Sequence, residues 1–309
     1  MPESSLLRLS AVGRLLAGRE VVAGLNLSLD RGSVLGLLGV NGAGKSTTLR
    51  LIAGVLAPSA GQVLIDGTEL GEYPETARTR LGYLPERVPL YPELRVEEYL
   101  AFCARLHGLA GPAQTMATAA VTERCGLGDV RRRLLGNLSK GYQQRVGIAQ
   151  AIVHDPALIV LDEPASGLDP VQAASIRGLI SELRSGHAVI LSTHLLPDVQ
   201  ACCDRVAILH GGRLRHDGPA QALAGSGALR VRVRATLQVE AWATLTSVQR
   251  VGRADAFWRI ELAAGADTAQ FAQEVVARGW GLLELRGEDP SLEQTFLRIA
   301  SADDAREAA

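Results

Sequence analysis

The hydrophobic positions of this chain change period several times, and each change marks an element. Ser33–Leu38 is almost wholly apolar, the pattern of a strand buried on both faces, and it runs into a glycine-rich loop. From Gly44 the spacing becomes helical, and Gly54 closes that helix. Gln62–Ile65 is a strand ended by the turn signal Asp66-Gly67. Between about 86 and 137 the strand rhythm stops. There Val96, Tyr99, Leu100, Cys103 and Leu106 follow helical spacing and 113–126 predicts a second helix, so the stretch reads as a mostly helical insertion. Strands then return at Ala157–Leu161, Ala188–Leu191 and Arg205–Leu209. Between them lie a helix from Pro170 to about Arg184 and a short one from Leu195, and Gly211-Gly212 turns into a last short strand. This alternation predicts an α/β domain over roughly the first 222 residues.

The rhythm changes again at Gly225-Ser226-Gly227, which reads as a boundary. Beyond it, Leu229–Val233, Trp258–Leu262 and Leu282–Leu285 predict strands, and Thr268–Arg278 and Ser291–Ile299 predict helices. Residues 228–300 are therefore expected to form a small α+β domain, with 301–309 a polar, frayed tail.

Apolar residues make up 47% of the 309 and charged residues 21%, a globular balance. Lys and Arg total 32 against 33 Asp and Glu, a net charge of −1, which argues against a general nucleic-acid binder. No apolar run approaches the roughly 18–20 residues of a spanning helix. The N-terminus lacks the basic-then-apolar order of a signal peptide. The expectation is a cytoplasmic protein that reaches a membrane only through a partner. Cys103, Cys125, Cys202 and Cys203 are too scattered for a disulfide framework or a zinc site, and are expected to be reduced and buried. Lys45 and Lys140 are the only lysines; the other thirty of the 32 cations are arginines.

Lys45 lies in the first chemically specific segment, Gly39-Val40-Asn41-Gly42-Ala43-Gly44-Lys45-Ser46, followed by Thr47. Glycines at this spacing let backbone N–H groups turn inward around phosphates, and the helix that follows presents its positive end. Lys45 is placed to reach the β- and γ-phosphates and Ser46 to coordinate Mg²⁺. A compact ammonium on a slim stem suits that position better than a planar guanidinium. A second segment, Leu158–Glu163, is an apolar strand ending in two acids. Asp162 can serve the magnesium ion and Glu163 can polarise an attacking water.

Together these segments resemble the ATP-binding cassette (ABC) ATPases, over residues 5 to about 220. Leu138-Ser139-Lys140-Gly141-Tyr142-Gln143-Gln144-Arg145 is similar to the family's signature, with a Lys-Gly-Tyr variant associated with ABC-2-type exporters. The resemblance implies that Ser139 and Gly141 contact the γ-phosphate bound to the other protomer. Ser166-Gly167-Leu168-Asp169 resembles the loop linking the two active sites, and His194 matches the switch histidine at the γ-phosphate. Pro290–Leu297 resembles the closing helix of the small domain appended to ABC-2-type exporter ATPases. Two positions depart from the family pattern. Glu86 stands where a metal-binding glutamine is usual, and Leu15-Leu16-Ala17 lacks the aromatic residue that stacks on adenine.

The resemblance implies a P-loop NTPase core with a mixed, mainly parallel sheet and a helical insertion. It implies an ATP- and Mg²⁺-dependent hydrolase that dimerises head to tail and drives a separate membrane permease, with no direct nucleic-acid contact. Arg131-Arg132-Arg133 is read as a solvated basic face, with a contact near the membrane partner or acidic headgroups as the alternative. The competing function is a soluble ABC ATPase acting on nucleic acid or ribosomes; this chain shows one cassette and no heptad stretch or basic excess.

Overall fold

The computed structural model describes residues 5–220, 228–254, 256–263 and 265–287. The chain divides into two compact units that part after Ala220. The first opens with β1 (Leu7–Leu16), β2 (Arg19–Leu29), β3 (Val34–Leu38), α1 (Lys45–Ile52), β4 (Ala60–Ile65) and β5 (Thr68–Glu69). It continues through α2 (Pro74–Thr79), β6 (Leu81–Leu84), α3 (Val96–Leu106), α4 (Gly111–Arg124) and α5 (Lys140–Ile152). It ends with β7 (Leu158–Asp162), α6 (Pro170–Leu183), β8 (Ala188–Thr193), α7 (Leu196–Cys202), β9 (Arg205–His210) and β10 (Arg213–Pro219).

Six strands form one sheet in the order β10-β9-β3-β8-β7-β6, parallel from β9 to β6 with β10 antiparallel at the edge. Strands β3, β7 and β8 are buried at every position, which is why their sequences are apolar runs and not alternating ones. A second, antiparallel sheet, β2-β1-β4-β5, turns Leu7, Leu9, Leu25, Leu27 and Val63 into a core shared with Leu49 and Ile52 of α1. Each such side chain contributes roughly 1.5–3 kcal/mol by leaving water. This mixed α/β arrangement is the expected P-loop NTPase fold.

Several boundaries move. The helix expected over 113–126 spans Gly111–Arg124, and Leu106 is 70% exposed although Val96, Tyr99, Leu100 and Cys103 of the same helix are buried. All four cysteines are free and buried. Arg131, Arg132 and Arg133 are exposed, and Arg131 lies 4.0 Å from Glu97.

The second unit comprises β11 (Ala228–Val233), α8 (Val239–Trp242), β12 (Val248–Ala254), β13 (Phe257–Leu262), α9 (Thr268–Ala277) and β14 (Leu282–Gly287). The strand order is β12-β13-β11-β14, antiparallel throughout, the split β-α-β topology of ferredoxin-like folds. Trp242 is fully buried and meets Trp280 edge-on at 5.1 Å and Trp258 at 5.6 Å, which anchors the single turn of α8. The expected helix at Ser291–Ile299, the Gly225–Gly227 boundary and the tail lie outside the described residues.

Candidate nucleotide-binding site

Parallel strands deliver their C-terminal ends to one edge of the sheet, and ligands bind there. At that edge the loop after β3, the end of β7, the loop after β8 and Glu86 beyond β6 converge on a cleft of about 440 Å³. Asn41, Gly42, Gly44, Lys45, Ser46, Thr47, Glu86, Glu163 and His194, all expected site residues, line it.

The loop's glycines answer to specific constraints. Gly44 caps α1 at φ +100°, and a Cβ there would lie 2.8 Å from the Val21 carbonyl oxygen. A Cβ on Gly39 would lie 2.9 Å from both the Leu209 carbonyl oxygen and the Ala43 methyl. Gly39 and Ala43 thus build the loop from behind, without lining the cleft. Lys45 is 6% exposed, and its Nζ donates to the Gly39 carbonyl at 2.7 Å and the Val40 carbonyl at 3.4 Å. Burial pulls its pKa below the ordinary lysine value, and the charges of Glu163, Asp162 and Glu86 oppose that pull.

Asp162 is fully buried beneath the loop. Its Oδ1 accepts from Ser192 Oγ at 2.6 Å and from Ser46 Oγ at 3.2 Å. Its Oδ2 is buried without a hydrogen-bond partner. An orphaned carboxylate oxygen beside a serine hydroxyl is a donor set that fits a hard divalent cation. Ser192 Oγ also accepts from the Glu163 N–H at 2.8 Å, fixing the backbone where Glu163 adopts φ +50°. The Glu163 carboxylate lies 2.9 Å from His194 Nδ1 and 3.9 Å from Lys45 Nζ. The histidine loop is itself braced, because Thr193 Oγ1 donates to Asp198 at 2.8 Å and Arg177 pairs with that acid at 2.9 Å.

Ser139, Gly141 and Asp169 stand apart from this cleft. Ser139 is an exposed N-cap of α5 and accepts from the Tyr142 N–H at 3.5 Å. Gly141 is buried where a Cβ would meet the Gln172 side chain, and Asp169 caps α6 by accepting from Val171 and Gln172 at 3.0 Å. Two residues of the site escaped the sequence reading. Val21, an apolar wall of the cleft, is one position in an amphipathic strand, and Ser192 is signalled only as a hydroxyl ending an apolar run two residues before His194. Ala17 sits at φ +49° between β1 and β2, and no Phe, Tyr or Trp lines the cleft.

A phosphate loop between a buried parallel strand and a helix, with a carboxylate pair two strands away, defines a P-loop nucleoside triphosphatase. The ABC transporter family profile matches residues 22–166. The chain is 36% identical over 206 residues to the ABC transporter ATP-binding protein NatA of Bacillus subtilis (strain 168), covering 66% of this chain and 84% of that protein. It is also 29% identical over 291 residues to the linearmycin resistance ATP-binding protein LnrL of the same organism, covering 91% and 94%. A solved ATP-binding subunit of an ABC transporter superimposes with a TM-score of 0.65 at 33% identity, covering 71% of this chain and 92% of that one. The chain belongs to the ABC transporter ATP-binding family, whose domains bind and hydrolyse ATP.

Proposed function

We propose that this protein is the ATP-hydrolysing subunit of a bacterial ABC-2-type transporter, working as an exporter with a separate integral-membrane permease. The observation that carries the proposal is the Glu163 carboxylate, held between His194 and Lys45 at the mouth of the phosphate loop. In this account residues 1–222 are the ATPase domain, with its helical subdomain at about 86–137, and 228–300 are an accessory domain. No helix among the described residues is long and apolar enough to cross a membrane. The protein would therefore sit peripherally on the cytoplasmic face, held there by the permease. Likeness to transporter subunits and to a drug-resistance ATP-binding protein along nearly its full length supports this reading.

The chain's own groups divide the work. Lys45 exchanges the Gly39 and Val40 carbonyls for phosphate oxygens, and the backbone N–H groups of Asn41–Thr47 wrap the β- and γ-phosphates. Ser46, Asp162 and Glu86 would hold the magnesium ion, which supplies charge neutralisation at the phosphate oxygens. Glu163 orients and polarises the attacking water, and His194 positions that carboxylate and reaches the γ-phosphate. Ser139, Gly141 and Asp169 lie outside the cleft and would complete the site of a second copy in a head-to-tail homodimer.

The test is affinity purification of the tagged chain from detergent-solubilised membranes. The expected companion is an integral-membrane protein of about six spanning helices, long enough by hydropathy at roughly 20 residues each. Recovery with ribosomes or nucleic acid instead would favour the soluble ABC alternative.

A further inference from the structure

The outward face of the second unit's sheet carries chemistry that ATP hydrolysis does not use. Leu229, Val231, Trp258 and Ile260 point inward to Trp242 and Phe271, so the residues alternating with them point away. Register then aligns arginines across the strands. Arg230 of β11 pairs with Arg259 of β13 on one side and with Arg286 of β14 on the other. Arg232 stands opposite Glu284, and Arg250 of β12 opposite Glu261. Like charges directly opposite one another destabilise a sheet, so this register carries a cost that neighbouring acids must offset. Two glutamates offset part of it. Glu284 lies 3.2 Å from Arg232 and 2.7 Å from Arg286, and Glu261 lies 4.0 Å from Arg250. Leaving Arg259 aside, Arg230, Arg232, Arg250 and Arg286 still outnumber the two glutamates among the described residues of this face, in a chain whose net charge is −1.

The class of partner follows from how Phe257, the one aromatic residue on this face among the described residues, is used. The guanidinium of Arg230 lies 4.3 Å and that of Arg232 5.5 Å from the centroid of the Phe257 ring. Those guanidinium groups take up the Phe257 ring, which removes one of the stacking surfaces that single-stranded nucleic-acid recognition uses. What remains is a set of guanidinium groups on adjacent strands, suited to phosphate oxygens presented side by side on a surface. We propose that this arginine face binds the anionic headgroups of acidic phospholipids and holds the second unit against the membrane. The proposal rests on the reading of the chain as a transporter subunit working at a membrane.

The test is co-sedimentation of the full-length protein, without permease, with phosphatidylcholine vesicles and with vesicles containing about a third phosphatidylglycerol. At about 0.1 M salt the Debye length is about 10 Å, and binding to the anionic vesicles alone is expected, with release near 1 M salt. Each arginine near an anionic surface contributes on the order of 1 kcal/mol, so Arg230→Gln combined with Arg286→Gln should weaken binding about 30-fold. Arg230→Lys combined with Arg286→Lys keeps the charge and should stay within about threefold of the parent. Thermal unfolding and ATP binding, measured on each variant, report that the fold is kept. Equal binding to neutral vesicles, binding to neither, full binding by the glutamine variant, or tighter binding of a single-stranded oligonucleotide lost in that variant would each overturn the proposal. ATP hydrolysis and permease recovery are read separately, so failure here leaves the transporter reading standing, and failure there leaves vesicle binding measurable.

Discussion

Replacing Ser192 by alanine removes one oxygen that holds the Asp162 carboxylate and the Glu163 backbone. Ser192 Oγ donates to Asp162 at 2.6 Å and accepts from the Glu163 N–H at 2.8 Å, and the serine is fully buried. A hydrogen bond to a charged group is worth roughly 1.5–3 kcal/mol, and a buried N–H left unpaired costs roughly 1–3 kcal/mol. The two losses share an atom and do not simply add, and Ser46 still donates to Asp162, so about 3 kcal/mol of destabilisation is expected. In a unit of this size that lowers Tm by roughly 6–12 °C, read by circular dichroism. Glu163 also loses the anchor that fixes its backbone at φ +50°, so kcat should fall about tenfold or more while KM for ATP moves less than about threefold. A variant melting within about 1 °C of the parent with parental kcat would show that this hydroxyl neither supports Asp162 nor places Glu163.

Two further outcomes are expected. Base–aromatic stacking is worth roughly 1–3 kcal/mol and the cleft offers no Phe, Tyr or Trp ring, its one imidazole, His194, facing Glu163, so GTP and CTP should show KM values within about tenfold of that for ATP in steady-state assays. Discrimination of about 100-fold would reveal base recognition that Val21 and Val40 do not explain. His154 stacks on His107 at 3.6 Å, and its pKa is pushed from 6.5 to about 4, first by burial and then by His107. Between those values the unfolded chain holds the proton and the native one does not, so stability should decline as pH falls from about 6.5 towards 4. His154→Gln should flatten that decline in denaturant midpoints.

The parallel sheet was legible because strands buried on both faces read as unbroken apolar runs. The antiparallel sheet was largely not. Along β1 the pairing with β2 shifts register between Leu9 and Val12, again before Arg14 and again before Leu15, which breaks the two-residue period. In β6 the interior Gly82 and the following Pro85 suggest a loop. A Cβ on Gly82 would fall 1.9 Å from the Ala151 carbonyl oxygen, so the glycine marks close strand–helix packing. β12 was hidden in Val248–Ala254, where three polar residues and Gly252 dilute the pattern and pairing with β13 supplies the order. At the site, motif spacing alone pointed to Lys45, Ser46, Asp162 and Glu163, which the fold brings together. The contact between His194 and Glu163 and the role of Ser192 depend on β7 and β8 lying side by side, which local sequence does not encode.

The claim that Glu163 drives hydrolysis at a site completed by a second copy is tested most directly by Glu163→Gln, with ATPase turnover and solution mass measured together. The amide keeps the size of the carboxylate but loses its basicity, so turnover should fall by about 100-fold or more. ATP binding should persist, and light scattering should show twice the chain mass when ATP and magnesium are added. Parental turnover, or a monomer at saturating ATP, would contradict the account.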